Sequence, residues 1–307
     1  MLNNQEATLA DNKGKGVPLV RPSRLKWKDW LAVVPFFLAI FLLLIVPSLY
    51  LFFGSLQDAQ GNFTLANIRS LFSDPLIATA YANSIRISIV TAVVGGILGF
   101  LMAYAVTVGG LPRGVRAGLV TFAGVASNYG AVPLAFLFIN TLGRTGLMTA
   151  FISLMFGLNL YDDLNFNLYS FWGVSITYLY FQLPLMILIT IPILEGLKKE
   201  WREACESLGA NNFTYWVRVA FPILLPSLLG TMLLLFGNSF GAYATAYALT
   251  GGLINLATIL IGQQIYGDVL HNVGLGYALA VGMVVIMAVT MAVYYFLRRY
   301  SERWLQK

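Results

Sequence analysis

The chain is predicted to be an all-α integral membrane protein with six transmembrane helices and both termini in the cytoplasm. Composition is the first reason. Of 307 residues, 58% are hydrophobic and 10% charged, whereas soluble domains carry about a quarter charged. The second is segmentation. Six apolar stretches, approximately 30–53, 78–108, 117–142, 168–194, 219–249 and 275–297, each reach the roughly 20 residues needed to cross a bilayer. Backbone amides in hydrocarbon have no water to bond, so these stretches must be helical. The third is charge placement. Of 19 basic residues, only Arg69, Arg86 and Arg144 fall outside the loops and termini that alternation assigns to the cytoplasm. Basic residues gather on the cytoplasmic side, so a net charge of +6 reflects topology rather than nucleic-acid binding.

Residues 1–28 form a polar, basic tail with Gly14, Gly16, Pro18 and Pro22, a composition expected to stay mobile. Gly14-Lys15-Gly16 imitates part of a phosphate loop. It lacks the spaced upstream glycine and the following Ser or Thr, so ATP binding by that route is not expected. No cleavable signal peptide is apparent, because the first apolar run is long enough to span. The six-helix region is assigned to 29–300 and a short cytoplasmic tail to 301–307. The outward loops 54–77, 143–167 and 250–274 are neutral to acidic, and the second is expected to hold a short surface helix at Leu147–Phe156.

Between spans four and five lies LKKEWREACESLGANNFTYWVRVAFPILLP, residues 197–226. Arg202, Glu203 and Glu206 share one side of a helical turn, while Leu197, Trp201, Ala204 and Leu208 recur on another. Gly209 is placed to end the helix in a left-handed conformation. A second short amphipathic run, 213–219, leads to Pro222 and the next span. Glu203-Ala204-Cys205, three residues, Gly209, nine residues, then Val219-Ala220-Phe221-Pro222 resembles the EAA loop of binding-protein-dependent ATP-binding-cassette (ABC) importers. Cys205, Val219 and Phe221 depart from that pattern by small or apolar replacements. The alternative is an ordinary interfacial helix between spans.

No catalytic set appears. One histidine and one cysteine fall on opposite sides of the membrane, which leaves no Cys/His pair or histidine-based metal site. Asp162-Asp163 reads as a solvated pair. Asn128, Gln182 and Asn238 sit near the midpoints of spans three, four and five, where buried amides need partners. They are expected either to line a pathway with Tyr129, Ser239 and Tyr243, or to join helices at about 0.6–2 kcal/mol per bond. Gly95/Gly99 and Gly237/Gly241 are small-xxx-small pairs suited to close helix crossings. Arg86, near the outer end of span two, is expected to snorkel toward the headgroups. No Asp, Glu, Lys or His lies deep in a span, which argues against an ion-coupled carrier.

The resemblance implies a methionine-importer-like type I ABC permease fold in a bacterial inner membrane. It also implies a second permease subunit of different sequence, two ATPase subunits carrying ATP and magnesium, and an extracytoplasmic solute-binding protein. Loop 196–218 would be the ATPase-coupling element, through Arg202, Glu203, Ala204, Glu206, Gly209 and Pro222; no cofactor is expected on this chain. Runs such as GAYATAYALTGG resemble permeases of the polyamine, iron and phosphonate group, with the spermidine/putrescine type favoured. Tyr129, Tyr178, Tyr180, Tyr243 and Tyr247 could offer ring faces to an organic cation, whereas Arg86 would suit an anion. A dimeric secondary carrier and a non-transporting scaffold are the alternatives. Orientation is tested by labelling. Asp162→Cys should react with an impermeant thiol reagent in intact cells, and native Cys205 only after permeabilisation; outside labelling of Cys205 would reverse the topology.

Overall fold

The computed structural model describes residues 27–58, 60–267 and 271–305. Most of the expected N-terminal tail, with its Gly14-Lys15-Gly16, lies outside these residues. The described chain separates into two bodies, one ending at Tyr50 and one beginning at Leu51. The first body contains α1 (Trp27–Ile40), a π-helical turn (Phe41–Ile45) and the start of α2 (Val46–Gly54). Its side chains described from Val33 to Tyr50 are exposed, with Ile40 intermediate.

The second body follows the sequence order closely. α3 (Ala66–Ser73) covers part of the first outward loop. Span two is α4 (Pro75–Thr107), starting where the Asp74 carboxylate accepts the Leu76 N–H at 2.8 Å. That is an N-cap with proline just inside the helix. Span four is α8 (Phe171–Glu195) and span six is α14 (Val273–Leu305), which continues past the expected end. The short surface helix appears as α7 (Leu147–Phe156), closed by Gly157 at φ +67°.

Spans three and five differ from expectation, because each is interrupted. Span three is two helices, α5 (Arg113–Ser127) and α6 (Ala131–Leu142). Neither alone reaches 20 residues. Together they traverse the length of α8, since Arg116 at the start of α5 pairs with Glu195 at one end of α8. Leu134, Ala135 and Phe138 of α6 pack with Leu168 and Val174 near the other. The break falls at Asn128–Gly130, ahead of Pro133, which has no N–H to donate. Span five enters through α10 (Asn212–Tyr215) and a π-helical turn (Trp216–Ala220). It continues as α11 (Phe221–Phe240) and breaks at Gly241–Ala242 before α12 (Tyr243–Thr250). α13 (Ala257–Tyr266) then precedes span six.

Lipid tails are as apolar as leucine, so helices inside a membrane gain little from burying apolar surface against each other; close packing must hold them. Glycine supplies it at the α4–α8 crossing. A Cβ on Gly99 would sit 2.6 Å from the Met186 Cβ, and one on Gly95 would sit 3.1 Å from the Gln182 Cβ. Gly237 does the same for span six, facing the Met287 methyl, whereas its expected partner Gly241 ends α11 instead. Around these crossings lie two apolar clusters. One joins α4, α5, α8 and α11 through Ala103, Ala123, Met186 and Leu235. The other joins α6, α8 and α12 through Ala135, Val174, Tyr178 and Ala246. Arg86 is exposed and has no ion-pair partner among the described residues.

A matched pair of variants tests the crossing. Gly99→Val should lower the thermal stability of the purified complex by about 1–3 kcal/mol, the usual cost of forcing atoms into a packed contact. Gly118→Val, with nothing within 4 Å of its Cβ position, should be neutral or slightly stabilising, since valine is the better helix former by less than about 0.5 kcal/mol. Equal melting shifts would mean that this contact does not set the crossing.

Candidate functional site

The first candidate site is the loop between spans four and five. α9 (Lys199–Ser207) contains no buried residue. At its end Gly209 adopts φ +77°, and the Ala210 N–H reaches the Cys205 carbonyl at 2.9 Å. This is the left-handed helix stop that glycine adopts without a Cβ penalty. Arg202 is engaged within the helix, its Nε donating to Glu206 Oε1 at 2.9 Å. Glu203 is exposed, and its carboxylate has no hydrogen-bond or ion-pair partner among the described residues. Of the expected coupling charges, Glu203 is therefore the one left uncommitted.

The apolar side of the loop divides as well. Leu197 and Trp201 are half-buried, and the Lys198 ammonium lies 5.8 Å from the Trp201 ring. Ala204, Leu208 and Phe213 face outward, Leu208 with 87% of its surface exposed. Behind them the loop is anchored to the membrane body, because the Trp216 ring meets Tyr104 of α4 edge-on at 4.9 Å. Pro222 opens α11, where its missing N–H costs nothing. The result is a short helix held at one end, offering the unpaired carboxylates of Glu200 and Glu203 and a strip of apolar side chains.

The second candidate site is the pair of helix breaks. Both lie at one level of α8. The buried Tyr178 hydroxyl donates to the Ala242 carbonyl at 2.8 Å, while the Tyr180 ring meets Tyr129 at 6.1 Å. The two residues are two apart and so project from opposite sides of α8, placing one break on each flank. Tyr178, counted from sequence among possible ligand-facing rings, instead secures the carbonyl that the fifth-span break exposes. Asn128 closes the other break locally, its Nδ2 donating to the Gly124 carbonyl at 2.9 Å.

The six pathway candidates separate into two groups. Gln182 is fully buried, and its Nε2 donates to the Leu235 carbonyl at 2.8 Å, joining α8 to α11. Ser239 is buried with its hydroxyl 3.0 Å from that of Thr91, joining α11 to α4. Asn128, Tyr129, Asn238 and Tyr243 are exposed in this chain. Tyr243 stacks on Tyr247 at 5.5 Å. Thr91 was not anticipated. A threonine that also bonds its own helix, here to Ile87 at 2.8 Å, gives no sequence sign of a second partner.

No family model matches the chain. It is 26% identical over 229 residues to a probable sulfate transport system permease protein of Helicosporidium sp. subsp. Simulium jonesii, covering 73% of this chain and 78% of the relative. It is 33% identical over 125 residues to the spermidine/putrescine transport system permease protein PotB of Haemophilus influenzae, covering 40% of this chain and 42% of the relative. A chain of the crystal structure of a bacterial ABC transporter that imports alginate superposes with a TM-score of 0.71 at 15% identity. That match covers 89% of this chain and 96% of the other. The chain thus has the fold of an ABC-transporter permease, and its sequence is similar to permease proteins of sulfate and polyamine transport systems.

Proposed function

We propose that the chain is one permease subunit of an ATP-driven importer, receiving a small solute from an extracytoplasmic binding protein and coupled through loop 196–218 to a separate ATPase. The observation that carries the proposal is α9. It is a solvent-exposed helix with an uncommitted Glu203 carboxylate, an outward Leu208 and a left-handed stop at Gly209. Burying Glu203 against a cationic or N–H donor on an ATPase would form a charge-assisted contact worth about 1.5–3 kcal/mol. Arg202, paired with Glu206, holds the helix surface in register.

The breaks in spans three and five support a pathway beside α8. Irregular backbone at membrane depth is tolerated only where protein buries it or a water-filled cavity faces it. Asn128, Tyr129 and Gly130 are exposed in this chain, so their side belongs against a wet cavity or the second permease rather than lipid. Gln182 and Ser239, each bonded to a neighbouring helix, suit the role of joining spans. For the solute we carry forward the polyamine class. The exposed rings of Tyr129, Tyr243 and Tyr247 can meet an organic cation, and the polyamine permease is the more identical of the two relatives. A sulfate-type oxyanion is the competing class, supported by the longer match. Uptake of labelled spermidine against labelled sulfate, with the cognate binding protein present, separates them.

Coupling is tested with two variants. Gly209→Val should be the more damaging, because the left-handed region costs an ordinary residue roughly 1–2 kcal/mol and a β-branched one is poorly accommodated there. Glu203→Ala removes the contact but leaves the turn. Both should reach the membrane, and both should lose solute-stimulated ATP hydrolysis with partial loss of ATPase from the purified complex. Full stimulated hydrolysis and uptake in both would show that another element transmits the ATPase motion.

A further inference from the structure

The outward loop between spans three and four is a lobe with a polar neck and an apolar tip. At the neck, the Tyr161 hydroxyl donates to the Leu142 carbonyl at 3.0 Å. The Arg144 guanidinium lies 5.6 Å from the Tyr161 ring and 3.7 Å from the Asp162 carboxylate. The Asn159 N–H donates to Asp163 at 2.6 Å and its side chain to Asp162 at 2.8 Å. The chain leaving α6 and the chain returning to α8 are thus tied together. Between them stands α7, fixed at its start by Thr149, whose hydroxyl donates to the Gly143 carbonyl at 2.8 Å.

α7 reads LMTAFISLMF and carries no charge; Thr149 is its one buried residue. Leu154 and Phe156 are 85% and 68% exposed. Standing two residues apart, they project from opposite sides of the helix. An uncharged helix with large apolar side chains exposed on opposite sides belongs inside a protein core or a membrane. The groove of a folded partner covers one side; hydrocarbon covers both. Ten residues span about 15 Å, half the thickness of the bilayer core, so α7 cannot cross it. The neck carries both signs of charge, as zwitterionic headgroups do. With it go two interfacial aromatics, Tyr161 in the neck and Trp172, 63% exposed at the start of span four.

We propose that α7 is a lipid anchor. Its tip inserts into the outer leaflet, under the orientation that the basic residues set, and its neck remains among the headgroups. The anchor holds the outer end of α6, and with it the third-span break, at a fixed depth while other spans move. The test places a photoreactive benzophenone amino acid at position 154 or at 156 of the full chain, in the assembled complex in native membranes, with position 163 as reference. Irradiation should give phospholipid-mass adducts at both 154 and 156 and far fewer at 163. Crosslinks from either tip position to a second permease subunit or to a soluble binding protein would overturn the proposal. Absence of any adduct at both would also overturn it, since it would mean that the tip faces water.

Discussion

A backbone amide inside hydrocarbon has no water to bond, and leaving it unpaired costs several kcal/mol. The rest of this structure depends on that constraint. It makes every span helical, and where a helix stops within the membrane it demands a local answer. At Asn128 the answer is a side chain folded back on its own turn; at Ala242 it is the Tyr178 hydroxyl from the neighbouring helix. The two differ in reach. Asn128 closes its break locally, whereas Tyr178 ties the fifth-span break to α8.

Once the amides are satisfied, something other than the hydrophobic effect must hold the helices together. Gly95 and Gly99 bring α4 within contact of Gln182 and Met186. In that close approach the Gln182 amide reaches Leu235, and Ser239 reaches Thr91 one turn farther along α11. Packing and polar bonding reinforce each other, because the glycines shorten the gap that the side chains must bridge. This three-helix junction lies between the loop that carries α9 and the helix breaks. Tyr104 and Trp216 pin the loop to the same α4.

The chain divides its work by exposure. The junction is buried and uncharged. The elements left uncommitted are α9 at one end, the exposed sides of the breaks, and α7 at the other. These are the places where a monomeric description is incomplete, and each offers a different chemistry: a carboxylate with apolar neighbours, tyrosine rings beside irregular backbone, and an apolar helix on a charged neck.

Sequence alone determined the number of spans, the helix at Leu147–Phe156 and the left-handed stop at Gly209. All of these are local properties. Hydropathy over twenty residues and a glycine after a charged turn each act through neighbouring chain and bulk lipid. Tertiary structure decided the rest. It broke span five, buried Gln182 and Ser239 while leaving Asn128 and Asn238 exposed, and turned Tyr178 from a possible ligand ring into a support. It also paired Arg202 with Glu206, leaving Glu203 free. A helix apolar on all sides carries no stripe to mark which face meets a neighbour, so the partners of its few polar groups are settled only when the helices pack.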